Sequence, residues 1–217
     1  MTNMKRMLCA ALAVAVLSGC AQTVEKDKGP TFFPPLPQSP KLQFLLSIND
    51  ETDIGGKQSS GIKEWLIGTR PAHKQIARPQ DIASSKGKIY ILDRTFKKVL
   101  FIDLEKKQLD YIKDEKEGAI SDPLGLWVTE DDVKYVADAA RKQILVFGKD
   151  NQFVRAYGET GQFERPSDVA VYQNRIYVAD FTRMAVVVVD RDSGKTLQTI
   201  GEPGEEPGKF NRPTHVS

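Results

Sequence analysis

Arg165-Pro-Ser-Asp-Val-Ala-Val-Tyr-Gln-Asn-Arg-Ile-Tyr-Val-Ala-Asp180 is the stretch whose reading decides the fold. Pro166 opens a short strand, Val169 to Val171. A turn follows at Gln173-Asn174, and a second strand, Arg175 to Val178, ends on Ala179-Asp180. The same text occurs upstream, from Arg78-Pro-Gln-Asp-Ile-Ala to Lys88-Ile-Tyr-Ile-Leu-Asp93. It occurs again from Asp122-Pro-Leu-Gly-Leu-Trp-Val to Lys134-Tyr-Val-Ala-Asp138, and begins a fourth time at Arg212-Pro-Thr-His-Val-Ser. The opening prolines, Pro79, Pro123, Pro166 and Pro213, are spaced 44, 43 and 47 residues apart. A period of this size decides architecture before any single element does.

Each copy continues alike. Lys98-Val-Leu-Phe-Ile-Asp103 follows Asp93, Gln143-Ile-Leu-Val-Phe147 follows Asp138, and Val186-Val-Val-Val-Asp190 follows Asp180. A fourth strand comes next: Gln108 to Ile112, Gln152 to Tyr157, Lys195 to Ile200. Turn chemistry at Gly148-Lys-Asp-Asn151 and Asp190-Arg-Asp-Ser-Gly194 joins third to fourth. Four short Val/Ile/Tyr/Phe-rich strands per repeat predict an all-β chain built from four-stranded β-propeller blades. A helical solenoid is excluded, because no 3.6-residue apolar period is sustained.

The Arg-Pro opening, the Val/Ile strand, Tyr-Val-Ala-Asp and the following Val-x-Val-Phe/Asp resemble NHL repeats over residues 76–217. The chain is similar to bacterial six-bladed NHL-repeat lipoproteins with a Pro-rich N-terminal lead. The resemblance implies blades at 78–121, 122–164 and 165–211, with 212–217 starting the next. The repeats depart from the family pattern after each Asp, where a Gly-Asn turn and an Arg are common. Here those segments are Arg94 to Lys98, Ala139 to Gln143 and Phe181 to Ala185.

Residues 1–19 read as a lipoprotein signal peptide. Lys5 and Arg6 form its basic start, and Met7 to Leu17 is an apolar run too short to span a bilayer. Leu17-Ser-Gly-Cys20 resembles a bacterial lipobox, with cleavage before an acylated Cys20. Ala21 stands where an Asp resembles an inner-membrane retention signal, so an outer-membrane anchor facing the periplasm is expected. Formal net charge is +2 and falls to zero once Lys5 and Arg6 are removed. That balance argues against nucleic acid as a partner. One cysteine remains after cleavage, so no internal disulfide is expected.

Residues 20–40, with Pro30, Pro34, Pro35, Pro37 and Pro40, read as a semi-rigid tether. Residues 41–217 form the propeller part. Residues 41–48 read as the outermost strand of a closing blade, and 49–77 as a loop containing Trp65 and His73. Six blades of this period need roughly 260 residues; Pro79 to Ser217 spans 139. The expectation is a C-terminally truncated propeller whose open blade edges invite self-association.

No catalytic residue, cofactor or metal site is expected. The chain has two histidines, whereas amidating lyases of NHL type use several channel histidines around zinc. His215 occupies the repeat position of Asp81, Gly125 and Asp168, near the axis. Asp93, Asp138 and Asp180 are expected to cap their own turns by accepting backbone N–H bonds. Arg78, Arg165 and Arg212 precede first strands, and Arg94, Arg141 and Arg183 lie in second-to-third loops. The topology should gather all six on one face, either as staples to the aspartates or as a binding face for an anionic protein or peptide. The expected function is a lipid-anchored, non-catalytic binding or scaffold module; the alternative is an envelope enzyme of lyase or lactonase type.

The Leu17-Ser-Gly-Cys20 motif generates a first prediction. Mass spectrometry of the mature protein should show residues 1–19 absent and Cys20 acylated, and Cys20→Ala should release the protein from membranes or leave it uncleaved.

Overall fold

The computed structural model describes residues 30–35, 37–55 and 74–217. Cys20, Trp65 and His73 lie outside them. The chain divides into two compact units, one ending at Leu46 and one comprising Ser47–Ser217.

The first unit contains a two-stranded hairpin. β1 (Thr31–Phe33) pairs antiparallel with β2 (Leu42–Phe44), Phe33 opposite Leu42. This corrects two expectations. The strand expected at 41–48 is only Leu42–Phe44, and its partner comes from the stretch read as a tether. The prolines stop both strands early, since Pro34 and Pro40 cannot donate to a ladder. Ile48 belongs instead to the second unit, where it packs with Ile54 and Ile76 on the first blade. Asp50 is bridged to Gln75 in the same unit.

The second unit holds three four-stranded antiparallel sheets in sequence order. Blade 1 is β3 (Pro79–Ser85), β4 (Lys88–Asp93), β5 (Lys98–Asp103) and β6 (Gln108–Tyr111). Blade 2 is β7 (Pro123–Val128), β8 (Lys134–Asp138), β9 (Gln143–Phe147) and β10 (Phe153–Tyr157). Blade 3 is β11 (Pro166–Tyr172), β12 (Arg175–Asp180), β13 (Ala185–Asp190) and β14 (Thr196–Ile200). The first strands β3, β7 and β11 are neighbours across blades, which is the arrangement of propeller blades around an axis.

The apolar core lies between blades rather than within them. Leu126, Val136, Leu145 and Phe147 of blade 2 face Tyr90, Leu92 and Val99 of blade 1. Tyr135, Ala137, Ile144 and Val146 alternate with them and face Val169, Ile176, Val178 and Val187 of blade 3. A strand covered on both faces favours apolar residues at successive positions, which is why Tyr135-Val136-Ala137 of β8 and Ile144 to Phe147 of β9 read as continuous runs. Each such side chain contributes about 1.5–3 kcal/mol on burial.

Polar groups also cross the first interface. Lys134 is fully buried in blade 2, and its ammonium lies 3.2 Å from Asp132 Oδ1 and 4.8 Å from the centre of the Tyr90 ring. Asp132 Oδ2 accepts from Lys88 of blade 1 at 3.0 Å, and Oδ1 accepts from the Tyr90 hydroxyl. Lys134 also donates to the carbonyls of Asp132 and Gly148, at 2.8 and 3.2 Å. Burial pushes the Lys134 ammonium below the usual lysine range, although Asp132 counteracts it. Burial raises the Asp132 carboxyl, but bonds from Tyr90, Lys88 and Lys134 outweigh it and hold the group below the carboxylate range.

One carboxylate thus serves two cations across an interface. Asp132→Asn should lower stability by about 3–5 kcal/mol, because it leaves Lys134 buried without a counter-charge. Lys134→Met should cost clearly less, since Lys88 and Tyr90 still satisfy Asp132. Thermal melting of both variants checks the order; equal losses would contradict it.

Candidate functional site

The site is built by a device that recurs in each blade. The aspartate ending the second strand is fully buried in all three: Asp93, Asp138 and Asp180. Asp93 Oδ2 accepts the N–H groups of Ala77 and Arg78 at 2.7 and 2.8 Å, and Oδ1 those of Thr95 and Phe96 at 2.8 and 3.1 Å. Asp138 accepts from Ser121, Asp122 and Arg141 at 2.6, 3.2 and 3.0 Å. Asp180 accepts from Glu164 and Arg165 at 2.7 and 3.1 Å, and from Thr182 and Arg183 at 3.2 and 3.0 Å. Each carboxylate therefore caps its own turn and also ties down the segment leading into its blade's first strand. The second half of that role is not visible in a local reading. Burial alone would raise the Asp93 carboxyl, but four backbone donors outweigh it and hold it below the usual range.

The next residue completes the clasp. Arg94 N–H donates to Arg78 O, Ala139 N–H to Asp122 O and Phe181 N–H to Arg165 O, all within 2.9–3.0 Å. The leading arginine and the second-to-third loop are thereby neighbours in blades 1 and 3, as the topology requires.

The six arginines separate into two groups. Arg94 is half-buried, and its Nη2 lies 3.1 Å from Asp122 Oδ1 of the next blade. Arg141 Nη1 donates to the carbonyls of Glu117 and Ala119 at 2.8 and 2.7 Å, and Nε to Gln143 at 3.0 Å. Arg183 Nη2 donates to Gly161 O. The expected staples to Asp93, Asp138 and Asp180 across blades are not what these side chains make. The backbone donors already fill those carboxylates, so the arginines turn to loop carbonyls and Asp122. Arg183 Nε approaches Asp180 only to 3.9 Å, and within its own blade.

Arg78, Arg165 and Arg212 are instead exposed. The guanidiniums of Arg165 and Arg212 lie 5.2 and 5.8 Å from the centre of one ring, Phe181. These distances fit cation–π contact. Arg165 and Phe181 line a cleft of about 330 Å³ together with Gln80, Ser167, Asp168 and His215. In the sequence Phe181 is only a residue of the second-to-third turn; its place beside two first-strand arginines depends on the packing of successive blades.

Toward the axis, every complete first strand carries a β-bulge at the same place. The register shifts between Pro79 and Asp81, between Pro123 and Gly125, and between Pro166 and Asp168. A bulge re-aims the side chain that follows it. Asp81 Oδ2 accepts the Leu126 N–H of blade 2 at 2.8 Å, and Asp168 Oδ2 the Val216 N–H at 2.9 Å. Asp168 Oδ2 also lies 2.8 Å from His215 Nδ1. Burial raises the Asp168 carboxyl above the usual range, against the pull of the Val216 N–H and His215. Gly125 holds this position in blade 2, where an added Cβ would lie 2.3 Å from Asp168 Oδ1 and 2.6 Å from its Cα. Among the described residues, no group of three or more His, Cys, Asp or Glu side chains could hold a metal ion.

The arrangement offers exposed guanidiniums and an aromatic face above carboxylates engaged by protein donors. No family model matches the chain, and no curated protein matches it. Among solved structures it is similar to the hydrazine synthase of Kuenenia stuttgartiensis, with a TM-score of 0.50, 19% identity, and coverage of 67% of this chain and 40% of that one. A structure of virginiamycin B lyase from Staphylococcus aureus gives a TM-score of 0.48 at 17% identity, over 61% of this chain and 42% of that one. A nidogen–laminin complex gives 0.48 at 18% identity, over 57% and 47%. The chain spans less than half the length of each. At this identity the likeness concerns the fold, and the fold is that of β-propeller blades.

Two expected outcomes follow from the geometry. Gly125→Ala should destabilise strongly, by about 2 kcal/mol or more, because the new methyl meets backbone that cannot yield. Asp93 has its folded pKa depressed, so its contribution is present above the unfolded value, near 4, and lost as pH falls through the folded value. Acid titration of the melting temperature should show this loss, and Asp93→Asn should be less stable at neutral pH with a flatter acid limb.

Proposed function

We propose that the chain is a lipid-anchored propeller of NHL-repeat type, held at the outer membrane through Cys20 and facing the periplasm. In this reading it is a non-catalytic binding or scaffold module. Its first-strand face captures a protein segment rich in carboxylates. The observation that carries the reading is the pair Arg165 and Arg212, both exposed and both set against Phe181 at the mouth of a cleft. Contact with an aromatic ring orients a guanidinium while leaving its edge donors free for a bidentate carboxylate. The arginines of the second-to-third loops support the blades instead, which narrows the binding face to Arg78, Arg165 and Arg212. The repeat text supports the NHL assignment, and the lipobox supports the anchor.

A second reading, an envelope enzyme, is favoured by one observation. His215 lies 2.8 Å from the buried Asp168 beside the same cleft, a pairing that can orient an imidazole as a general base.

Binding of a fluorescent oligo-glutamate peptide, followed by anisotropy, tests the first reading. Arg165→Ala with Arg212→Ala should weaken binding about tenfold or more, as expected for about 1.4 kcal/mol or more of lost contact. The melting temperature should be nearly unchanged. Lysine at both positions should not restore full affinity, because an ammonium lacks the fork. Unaltered binding in the alanine variant would sink the proposal. His215-dependent turnover of a model ester or lactone would favour the enzyme.

A further inference from the structure

Among the described residues, the hairpin of the first unit has an exposed apolar face. Directly opposed residues in an antiparallel pair share a face. Phe33 opposite Leu42 and Thr31 opposite Phe44 therefore form one face, while Phe32 and Gln43 form the other. Phe33, Leu42 and Phe44 are 53%, 70% and 51% exposed, and the chain continues into Leu45 and Leu46 at 79% and 53%. Five large apolar side chains in sixteen residues stand in water. Buried residues of the blades, by contrast, find partners in the neighbouring sheet.

Chain connectivity selects what covers this face. Thr31 is eleven residues from Cys20. Even fully extended, that stretch reaches at most about 40 Å. Acyl chains on Cys20 would hold the hairpin within that distance of the bilayer. Lys26 and Lys28 alternate with Glu25 and Asp27, so the lead between Cys20 and the hairpin is charge-balanced, and apolar area rather than charge would hold the face at the boundary. A single lipid and a second apolar contact reinforce each other, because the first removes most of the entropic cost of the second.

We infer that this hairpin is a second membrane contact, with its Phe33–Leu42–Phe44 face lying in the boundary between headgroups and acyl chains. The inference rests on acylation of Cys20.

The mature protein, reconstituted in phosphatidylethanolamine–phosphatidylglycerol vesicles, carries the test. An environment-sensitive fluorophore is placed at Phe44→Cys, at Leu45→Cys beyond the strand, and at Gln43→Cys on the opposite face. Labels at 44 and 45 should shift to the blue and be quenched by lipid-borne nitroxide at least about twofold more than the label at 43. They should be correspondingly shielded from aqueous iodide. Equal access to iodide at 43, 44 and 45 would overturn the inference. So would shielding at 44 and 45 in a protein that begins at residue 21, in buffer free of detergent and lipid, which would place the hairpin against the protein's own surface. Shielding that follows protein concentration rather than lipid would assign the face to a second copy and overturn it as well. Mass spectrometry of Cys20 separates the premises. An unacylated Cys20 with lipid-shielded labels removes the anchor and keeps the hairpin contact; an acylated Cys20 with exposed labels does the reverse.

Discussion

A buried carboxylate at the end of each second strand is the constraint on which the blades depend. Asp93, Asp138 and Asp180 are inaccessible to water, and each gathers backbone donors from two segments far apart in sequence. A buried charge is tolerated only when donors replace its hydration. The donors here are main-chain N–H groups of the turn after the aspartate and of the two residues before the strand-opening proline. Pro79, Pro123 and Pro166 cannot close the ladder with their own nitrogens. The aspartate closes it one residue earlier, and the same bond sets the angle at which the chain returns to the axis. The propeller geometry is repeated because this bond pattern is repeated.

The constraint also decides what the arginines can do. With the aspartates saturated, Arg94, Arg141 and Arg183 bond to loop carbonyls and Asp122, and bind neighbouring segments together. Among the described residues, the first-strand arginines have no such acceptor beside them, and they are exposed. Two of them converge on Phe181 because blade 3 and the segment after Asn211 bring their leading residues to the same ring. Charge is therefore distributed by backbone saturation rather than by a charged sequence motif. The interface between blades 1 and 2 follows a different economy: Lys134 has no water, and the carboxylate of Asp132 is shared with Lys88 from the neighbouring sheet.

Much of this was legible in the residues. The period of the Arg-Pro motif fixed the blades to within one or two residues of β3, β7 and β11, because a strand-turn-strand unit is a local property. The continuous apolar runs at Tyr135-Val136-Ala137 and Ile144 to Phe147 marked strands covered on both sides. Turn capping by the aspartates could be proposed because Asp-x-x turns are local as well. The hairpin is not legible in the residues, because Phe32 and Phe33 lie among prolines, where composition reads as a tether, and the Phe44 strand resembles the outer strand of a blade.

What tertiary structure alone decided are the pairings between segments about one repeat apart. The shared carboxylate of Asp132, the convergence on Phe181 and the glycine needed at 125 each arise from contact between different blades. Their members are ordinary residues in their own repeats. The bulges after Pro79, Pro123 and Pro166 belong here too, since only a neighbouring strand defines a register to shift. The sequence determined the unit and its repetition, because backbone hydrogen bonding within a four-stranded meander is short in range. The packing of one unit on the next determined which polar groups meet, because side chains brought together across an interface share no local pattern.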